Sequence, residues 1–222
     1  MTRTLTLRAV EPVTHDTNRY IFDAPANLDF EPGQAAELSI DKKGWREAGR
    51  PFTFTSLPGD DRVEFIIKIY EERDGVTDRM DDLKPGDEVM LDGPFGAITD
   101  QGPGTFIAAG AGITPFIPLL RDRARRADLG GCHLIFANDA ARDIILRDEW
   151  AEMDLPVDFI LSEEKADGCD HGQVDHSYLR DKIRNFDQTF YICGPQAFVD
   201  TVRDGLKALG ADEDRIVTEE GW

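Results

Sequence analysis

The segment Arg50-Pro-Phe-Thr-Phe-Thr-Ser combines residue types that could hold a planar, phosphate-bearing molecule. An arginine grips a phosphate with a planar fork, an aromatic side chain can lie on a planar ring, and a threonine hydroxyl can donate to a ring nitrogen. On a strand, alternation would place Arg50 and Phe52 on one side and Thr53 on the other. Taken alone, the segment is more simply interpreted as a strand with one surface arginine.

Two glycine-containing segments could bind phosphate groups. Gly75-Val-Thr opens a helical stretch, where free backbone amides favour an anion, although Thr77 could simply cap that helix. Ala109-Gly-Ala-Gly-Ile-Thr-Pro-Phe follows an apolar strand and opens a second helix. Gly110 and Gly112 permit a tight turn and close contact with a pyrophosphate, and Pro115 suits the first turn of a helix.

The segment Tyr191-Ile-Cys-Gly-Pro-Gln ends a late apolar strand. The carboxyl ends of parallel strands line the crevice in which open α/β sheets bind ligands. Cys193 is therefore a candidate site residue, although a free cysteine is more often a small buried hydrophobe.

The elements that position these segments change in pattern near residue 100. Before it, turn residues separate six short β runs, which predict a small antiparallel barrel with one helix at 77–83. We place these strands at residues 4–10, 19–23, 34–40, 52–55, 63–70 and 88–91. After it, strands alternate with helices, which predicts a doubly wound parallel sheet. We place its strands at 106–109, 133–137, 157–161, 190–193 and 216–217, and its helices at 115–126, 143–153, 175–184 and 197–209. The predicted domains are therefore residues 1–100 and 101–222.

Composition narrows the classes of partner. The 222 residues include 44 Asp and Glu against 25 Lys and Arg, a formal net charge of −19. That charge argues against nucleic acid or an anionic membrane as a partner, and it suits a protein that stays soluble in strong brine. No segment has the length and apolarity of a membrane span, and three widely spaced cysteines indicate a reduced, cytoplasmic protein.

Three further features are interpreted as structural. We expect no metal at Cys169-Asp-His171 with His176, because a fourth matched ligand is missing from this polar loop. We expect residues 121–126, which contain four arginines, to form the exposed face of a helix. Trp45, in the loop before Arg50, could be a partner contact or a local packing anchor.

In this order and context, the motifs resemble those of the ferredoxin–NADP reductase family of FAD-dependent oxidoreductases, and most closely its short bacterial ferredoxin or flavodoxin reductase-like members. Arg50-Pro-Phe-Thr is similar to the family's R-x-Y-[ST] flavin motif. The glycine motif at 109–115 and Cys193-Gly-Pro resemble its nucleotide motifs. Between the flavin and nucleotide motifs, the family has the pattern G-x-x-[ST]…L…GD…GPxG. This chain has similar residues there, namely Gly75-Val-Thr, Leu83, Gly86-Asp87 and Gly93-Pro-Phe-Gly.

The resemblance implies a role for each matching residue. Arg50 would pair with the FAD pyrophosphate, Thr53 would hydrogen-bond flavin N5, and Phe52 would stack on the ring in place of the usual tyrosine. The implied FAD-binding residues are Arg50, Pro51, Phe52, Thr53, Ile67, Lys68, Ile69, Gly75, Val76 and Thr77. Those for the nicotinamide nucleotide are Gly110, Gly112, Ile113, Thr114, Pro115, Cys193, Gly194 and Pro195. Cys193 would lie near nicotinamide C4, and Trp222 would cover the flavin, with Glu220 close to the nicotinamide. The implied catalytic residues are Thr53, Cys193, Glu220 and Trp222.

The choice between NADH and NADPH depends on residues that follow the second and third strands of the α/β domain. NADPH-specific relatives often carry Arg or Lys there, whereas this chain has Asp139 and Glu163. Carboxylates repel a 2′-phosphate and can accept from a ribose hydroxyl. We therefore expect a preference for NADH, although Arg142 nearby could reach a phosphate and keeps NADPH as an alternative.

The implied activity is hydride transfer from NADH to FAD, followed by single-electron transfer to a separate acceptor. The chain has no C-x4-C-x2-C run for a plant-type iron–sulfur cluster. The acceptor could be ferredoxin, flavodoxin, an oxygenase component, a cytochrome, or a small quinone or flavin. Alternatives are a free-flavin or quinone reductase without a protein partner, and a flavin- or nucleotide-binding relay or sensor subunit. We expect a monomer.

Overall fold

The computed structural model describes residues 2–42, 44–70, 76–96 and 98–219. Within them, two six-stranded sheets follow one another along the chain, and each has its own hydrophobic core. Gly75, Glu220 and Trp222, to which the resemblance assigns cofactor contacts, lie outside the described residues. No helix in these ranges is long and apolar enough to cross a membrane.

The first sheet is antiparallel, in the order β4-β3-β6-β1-β2-β5. Its strands are β1 (Arg3–Pro12), β2 (Thr17–Asp23), β3 (Ala35–Ile40), β4 (Arg50–Thr53), β5 (Arg62–Lys68) and β6 (Glu88–Phe95), and a short helix α1 (Val76–Met80) precedes β6. The amide of Thr55, just after β4, donates to the carbonyl of Glu64 on β5 over 2.8 Å and joins the two edges. The predicted antiparallel barrel is thereby confirmed.

Alternating apolar residues of these strands enclose the barrel core. Leu5, Tyr20, Phe54, Phe65 and Leu91 are all fully buried there. Trp45 packs against the same core, and the guanidinium carbon of Arg79 lies 5.4 Å from its ring centroid. Of the two interpretations of Trp45, the structure therefore supports the local packing anchor.

The second sheet is parallel, in the order β10-β9-β8-β7-β11-β12. Its strands are β7 (Gly104–Ala109), β8 (His133–Asn138), β9 (Val157–Leu161), β10 (Asp170–His171), β11 (Thr189–Cys193) and β12 (Ile216–Thr218). The helices are α2 (Phe116–Arg125), α3 (Arg147–Glu152), α4 (His176–Lys182) and α5 (Gln196–Ala208). Buried residues of α2 and α3 join one core cluster and those of α4 and α5 join another, so both faces are covered and the predicted doubly wound sheet is confirmed.

Two local predictions were wrong. The helix expected from Asp143 begins only at Arg147, because the chain buries both Ile144 and Ile145 and then passes through a left-handed residue, Leu146, with φ 57°. The two-residue strand β10 was not predicted, since a segment this short carries no periodic pattern.

The expected exposed arginine face of α2 was also wrong. Arg123 is 2% exposed and pairs with Asp100 and Asp128, while Arg121 is turned toward Glu64 and Glu149. These carboxylates lie on segments that pack against the helix, and their charges compensate the buried guanidinium groups. Arg125 and Arg126 do remain on the surface.

Candidate active site

A cavity of about 790 Å³ opens at the carboxyl ends of the parallel strands. This location is where open α/β sheets bind ligands, at the point where the strand order reverses from β7-β8 to β7-β11. Of the predicted nucleotide-binding residues, Gly110, Gly112, Thr114, Pro115, Asp139, Cys193, Gly194 and Pro195 line it. Ile113 is fully buried behind the turn, and Glu163 is exposed and not among the lining residues.

The glycine turn between β7 and α2 is a single 3₁₀ turn, Gly110–Ile113. Gly110 has φ +52°, a conformation that side-chain-bearing residues adopt at a cost. A Cβ on Gly112 would lie 2.4 Å from the carbonyl oxygen of Cys193. Gly112 therefore lets the turn pack directly on the backbone that follows β11. Close contact with a pyrophosphate was the predicted role of Gly112, and this packing on the Cys193 backbone was not predicted.

A second cavity, of about 220 Å³, lies against the barrel. Its lining includes Pro51, Phe52 and Thr53 of β4, Ile67 and Lys68 of β5, and Thr77 of α1. Thr53 is buried and Phe52 partly buried, whereas Arg50 is exposed and donates to the carbonyl of Gly49 over 2.9 Å. Ile69 packs in the barrel core and is not among the lining residues, and Val76 is the first residue of α1.

The two cavities share part of their walls. Lys68, Tyr70, Ala111, Thr114 and Glu219 line both of them. The Lys68 ammonium is held 2.9 Å from a carboxylate oxygen of Asp16. Burial alone would lower the pKa of Lys68, but the hydrogen bond and charge of Asp16, together with smaller contributions from Tyr70 and Asp143, outweigh burial and raise that pKa, so Lys68 brings a lasting positive charge to the junction.

Glu219 is the acidic residue of the junction and was not predicted, and neither were Tyr70 and Ala111. The Sγ of Cys193 donates to Glu219 Oε2 over 3.6 Å. Burial, and next the charge of Glu219, raise the pKa of Cys193 far above its ordinary value, so the thiol stays neutral and acts as a donor. The resemblance had pointed to Glu220, which is outside the described residues. The adjacent pair of glutamates after β12 was the available signal for Glu219.

Glu219→Gln should stabilise the protein at neutral pH. Burial raises the pKa of Glu219, so the unfolded chain ionises at lower pH than the native one, and stability falls as pH rises above the ordinary glutamate pKa of about 4.3. The glutamine keeps an acceptor for Cys193. We expect a higher Tm than the parent at neutral pH and an equal Tm below about pH 4. Calorimetry across this range would check it, with the exposed Glu152→Gln as control, and a lower Tm at neutral pH would contradict it.

Asn138, at the carboxyl end of β8, is a further residue of the larger cavity that was not predicted. It is 7% exposed and lines the larger cavity, yet both its amide nitrogen and its amide oxygen lack a hydrogen-bond partner among the described residues. Leaving such a group unpaired costs about 1–3 kcal/mol. A ligand that offers both donors and acceptors, as the hydroxyls of a ribose do, would satisfy it, so the cavity fits a nucleotide.

The loop after β8 places the Asp139 carboxylate at the rim of the larger cavity, next to Asn138. The Asp139 Oδ1 accepts from the Ser162 hydroxyl over 2.8 Å, and the Glu163 amide donates to the Asp139 carbonyl over 3.0 Å. Asp139 is thus oriented by the loop after β9, and Glu163 contributes its backbone to that arrangement.

Comparisons with known proteins agree with this architecture. The family model of an oxidoreductase FAD-binding domain matches residues 4–99, and that of an oxidoreductase NAD-binding domain matches residues 106–204. The chain is 30% identical over 224 residues to the propane 2-monooxygenase reductase component of Rhodococcus jostii, covering 93% of this chain and 60% of that protein. It is 28% identical over 250 residues to NADH-cytochrome b5 reductase 2 of Danio rerio, covering 93% of this chain and 80% of that protein.

A solved structure with the same fold is the ferredoxin NADP+ reductase of Neisseria gonorrhoeae with bound FAD and NADP, with a TM-score of 0.87 and 19% identity, covering 100% of this chain and 99% of that one. This chain is accordingly an oxidoreductase with an FAD-binding barrel and an NAD-binding α/β unit. It belongs to the ferredoxin–NADP reductase family of FAD-dependent oxidoreductases. It spans 60%, 64% and 57% of the length of three curated relatives that it matches.

Proposed function

We propose that this protein accepts a hydride from NADH at its bound FAD and passes electrons singly to a separate acceptor. The observation that supports this best is the shared wall of the two cavities at Lys68, Tyr70, Ala111, Thr114 and Glu219. A nicotinamide in the larger cavity and a flavin ring in the smaller one would meet there. When bound, FAD supplies the ability to take electrons as a pair and release them one at a time.

The chain's own residues would bind and orient the two rings. Phe52 offers an aromatic face to the flavin, and the Thr53 hydroxyl is a donor for a ring nitrogen. Arg50, on the exposed side of β4, would turn from the Gly49 carbonyl to the FAD pyrophosphate. Beyond the junction, the paired Cys193 and Glu219 would bound the nicotinamide and exclude water from it.

We propose that the acceptor is a separate protein, an oxygenase component or a ferredoxin being the leading forms. The curated relatives named as reductase or electron transfer components of oxygenase systems support this proposal. The proposed division of labour puts the FAD domain at residues 1–100 and the NAD domain at 101–222. A cytoplasmic monomer is part of the same proposal, and the free cysteines Cys132, Cys169 and Cys193 are compatible with a reducing compartment.

One anaerobic titration tests the central claim. We expect the purified protein to show a flavin absorption spectrum that NADH bleaches and that a ferredoxin or oxygenase component then restores. A colourless protein that binds no added FAD would overturn the proposal. Rapid turnover with free flavin or quinone but none with protein acceptors would show that the acceptor is a small molecule and not a separate protein. Bleaching with no turnover on any acceptor would favour a relay or sensor subunit.

Asp139→Asn should weaken the preference for NADH. The Asp139 carboxylate, held by Ser162, would repel a 2′-phosphate at the cavity rim. We expect the ratio of kcat/KM for NADPH to that for NADH to rise about tenfold, equivalent to ~1.4 kcal/mol. Asp148→Asn removes the same charge from the exposed face of α3 and should leave the ratio unchanged. A ratio that did not move in Asp139→Asn would exclude this residue from the choice of nucleotide.

A further inference from the structure

A cluster of buried charges joins the barrel to the parallel-sheet unit. Arg121 of α2 donates from Nη1 to the Thr55 carbonyl over 2.6 Å and to Glu64 Oε1 over 2.7 Å. Its Nε and Nη2 donate to the two carboxylate oxygens of Glu149 on α3 over 2.6 and 2.8 Å. Glu64 also accepts from the Thr55 hydroxyl over 2.9 Å, and its Oε2 lies 3.4 Å from Arg19 Nε.

The cluster pairs opposite charges, and Arg19 also pairs with the exposed Glu11 over 3.1 Å. Two carboxylates, Glu64 and Glu149, face two guanidinium groups, Arg121 and Arg19, and Glu64 is only 3% exposed. Burial alone would raise the pKa of Glu64, but the charge and hydrogen bond of Arg121, together with Arg19 and the Thr55 hydroxyl, outweigh burial and lower that pKa, so the carboxylate is ionised at neutral pH. None of these side chains lines either cavity.

Strand β5, which carries Glu64, connects the charge cluster to the wall that the two cavities share. On β5, Glu64, Ile66 and Lys68 point to the same side, because side chains alternate along a strand. Glu64 meets Arg121, Ile66 packs into the core of the parallel-sheet unit, and Lys68 lines both cavities. The same face of β5 thus contacts α2 through Glu64 and, four residues later, lines the junction through Lys68.

The helix that carries Arg121 is also connected to the junction. Arg121 lies on α2, and the turn that precedes α2 supplies Ala111 and Thr114 to the shared wall. The contact between Glu64 and Arg121 therefore links the strand and the helix whose neighbouring residues line the junction.

We propose that Arg121 is a positioning residue for hydride transfer, fixing β5 against α2 so that the two ring sites keep their productive separation. The proposal rests on the function proposed above. Misplacing reacting groups by about 1 Å can slow a reaction about 100-fold even when binding is retained. Loss of the contact should therefore lower the rate of hydride transfer far more than the affinity for either cofactor.

The test compares Arg121→Met, the double variant Arg121→Met/Glu64→Gln, and Arg125→Met as a matched control on the exposed side of the same helix. Each is purified with FAD and measured for FAD content, Tm, the dissociation constant of NAD+, and the limiting rate of FAD reduction at saturating NADH. The double variant is included because Arg121→Met alone leaves the buried Glu64 charge uncompensated, which can impair folding.

We expect the double variant to recover Tm relative to Arg121→Met and to keep its FAD, with a dissociation constant for NAD+ within about threefold of the parent. Its limiting rate of reduction should still fall about tenfold or more, as misalignment predicts. Arg125→Met should reduce FAD at the parent rate. A stable double variant with the parent rate would overturn the positioning role and leave the cluster a purely stabilising one. A parent protein whose FAD is not reduced by NADH would instead refute the proposed function.

Discussion

Gly112→Ala is expected to abolish efficient use of NADH while leaving FAD in place. The added methyl would lie 2.4 Å from the Cys193 carbonyl oxygen and 2.6 Å from the Gly194 amide nitrogen, both of which are backbone atoms. Side-chain rotation cannot relieve such a contact, so the glycine turn or the Cys193-Gly194 segment must move. Both segments line the larger cavity, and we expect kcat/KM for NADH to fall about 100-fold or more.

Gly112 does not line the smaller cavity, so the FAD content should stay near that of the parent. Gly130→Ala is the matched control, because a Cβ there meets nothing within 4 Å. Steady-state kinetics with NADH, together with the flavin absorbance per chain, would check both expectations. Normal kinetics in Gly112→Ala would mean that the nucleotide does not depend on this turn.

Thr53→Val is expected to slow FAD reduction with little effect on FAD binding. Valine has nearly the same shape as threonine but lacks the hydroxyl, and Thr53 lies at the wall of the barrel cavity with only 7% of its surface exposed. If the hydroxyl donates to the ring atom that accepts the hydride, its loss removes a donor where charge develops. Losing such a donor typically costs about 10²–10³ in rate.

Stopped-flow reduction by NADH would measure the effect, and Thr53→Ser would show whether the hydroxyl is responsible. We expect the serine variant to stay within a fewfold of the parent. Thr105→Val, at a buried threonine near the start of β7 and outside both cavities, controls for the general cost of replacing a buried hydroxyl. Equal rates in Thr53→Val and Thr53→Ser would remove Thr53 from the proposed catalytic residues.

The architecture could be predicted because it depends on local patterns. Short β runs with turns between them, followed by strands alternating with helices, are visible within windows of a few residues, and both sheets were predicted in the correct type. The glycine turn and Cys193-Gly-Pro follow β7 and β11 directly, so strand position brought them together. Alternation on β4 predicted that Thr53 lies on the opposite side from Arg50, and Thr53 is indeed buried while Arg50 is exposed.

The features that sequence analysis missed depend on contacts between distant residues. Arg121 pairs with Glu64 and Glu149, which are 57 and 28 positions away, and no local pattern distinguishes it from the surface arginines that follow. Asn138 looks like an ordinary loop residue until its unpaired amide is seen inside a cavity. Glu219 is one of two adjacent glutamates, and its contact with Cys193 depends on the position of two segments that are 26 residues apart in the sequence.

The two faces of β5 have a consequence for how the chain unfolds. Val63, Phe65 and Ile67 belong to the barrel core, while Ile66 belongs to the core beneath α2. Unfolding of the barrel would therefore remove Ile66 from the core beneath α2 and leave the Arg121 charge without Glu64. Unfolding of the parallel-sheet unit would expose Ile66 and Glu64 to water. The proposed boundary near residue 100 divides the sequence into two functions, but these shared contacts lead us to expect one cooperative unfolding transition in which both proposed binding sites are lost.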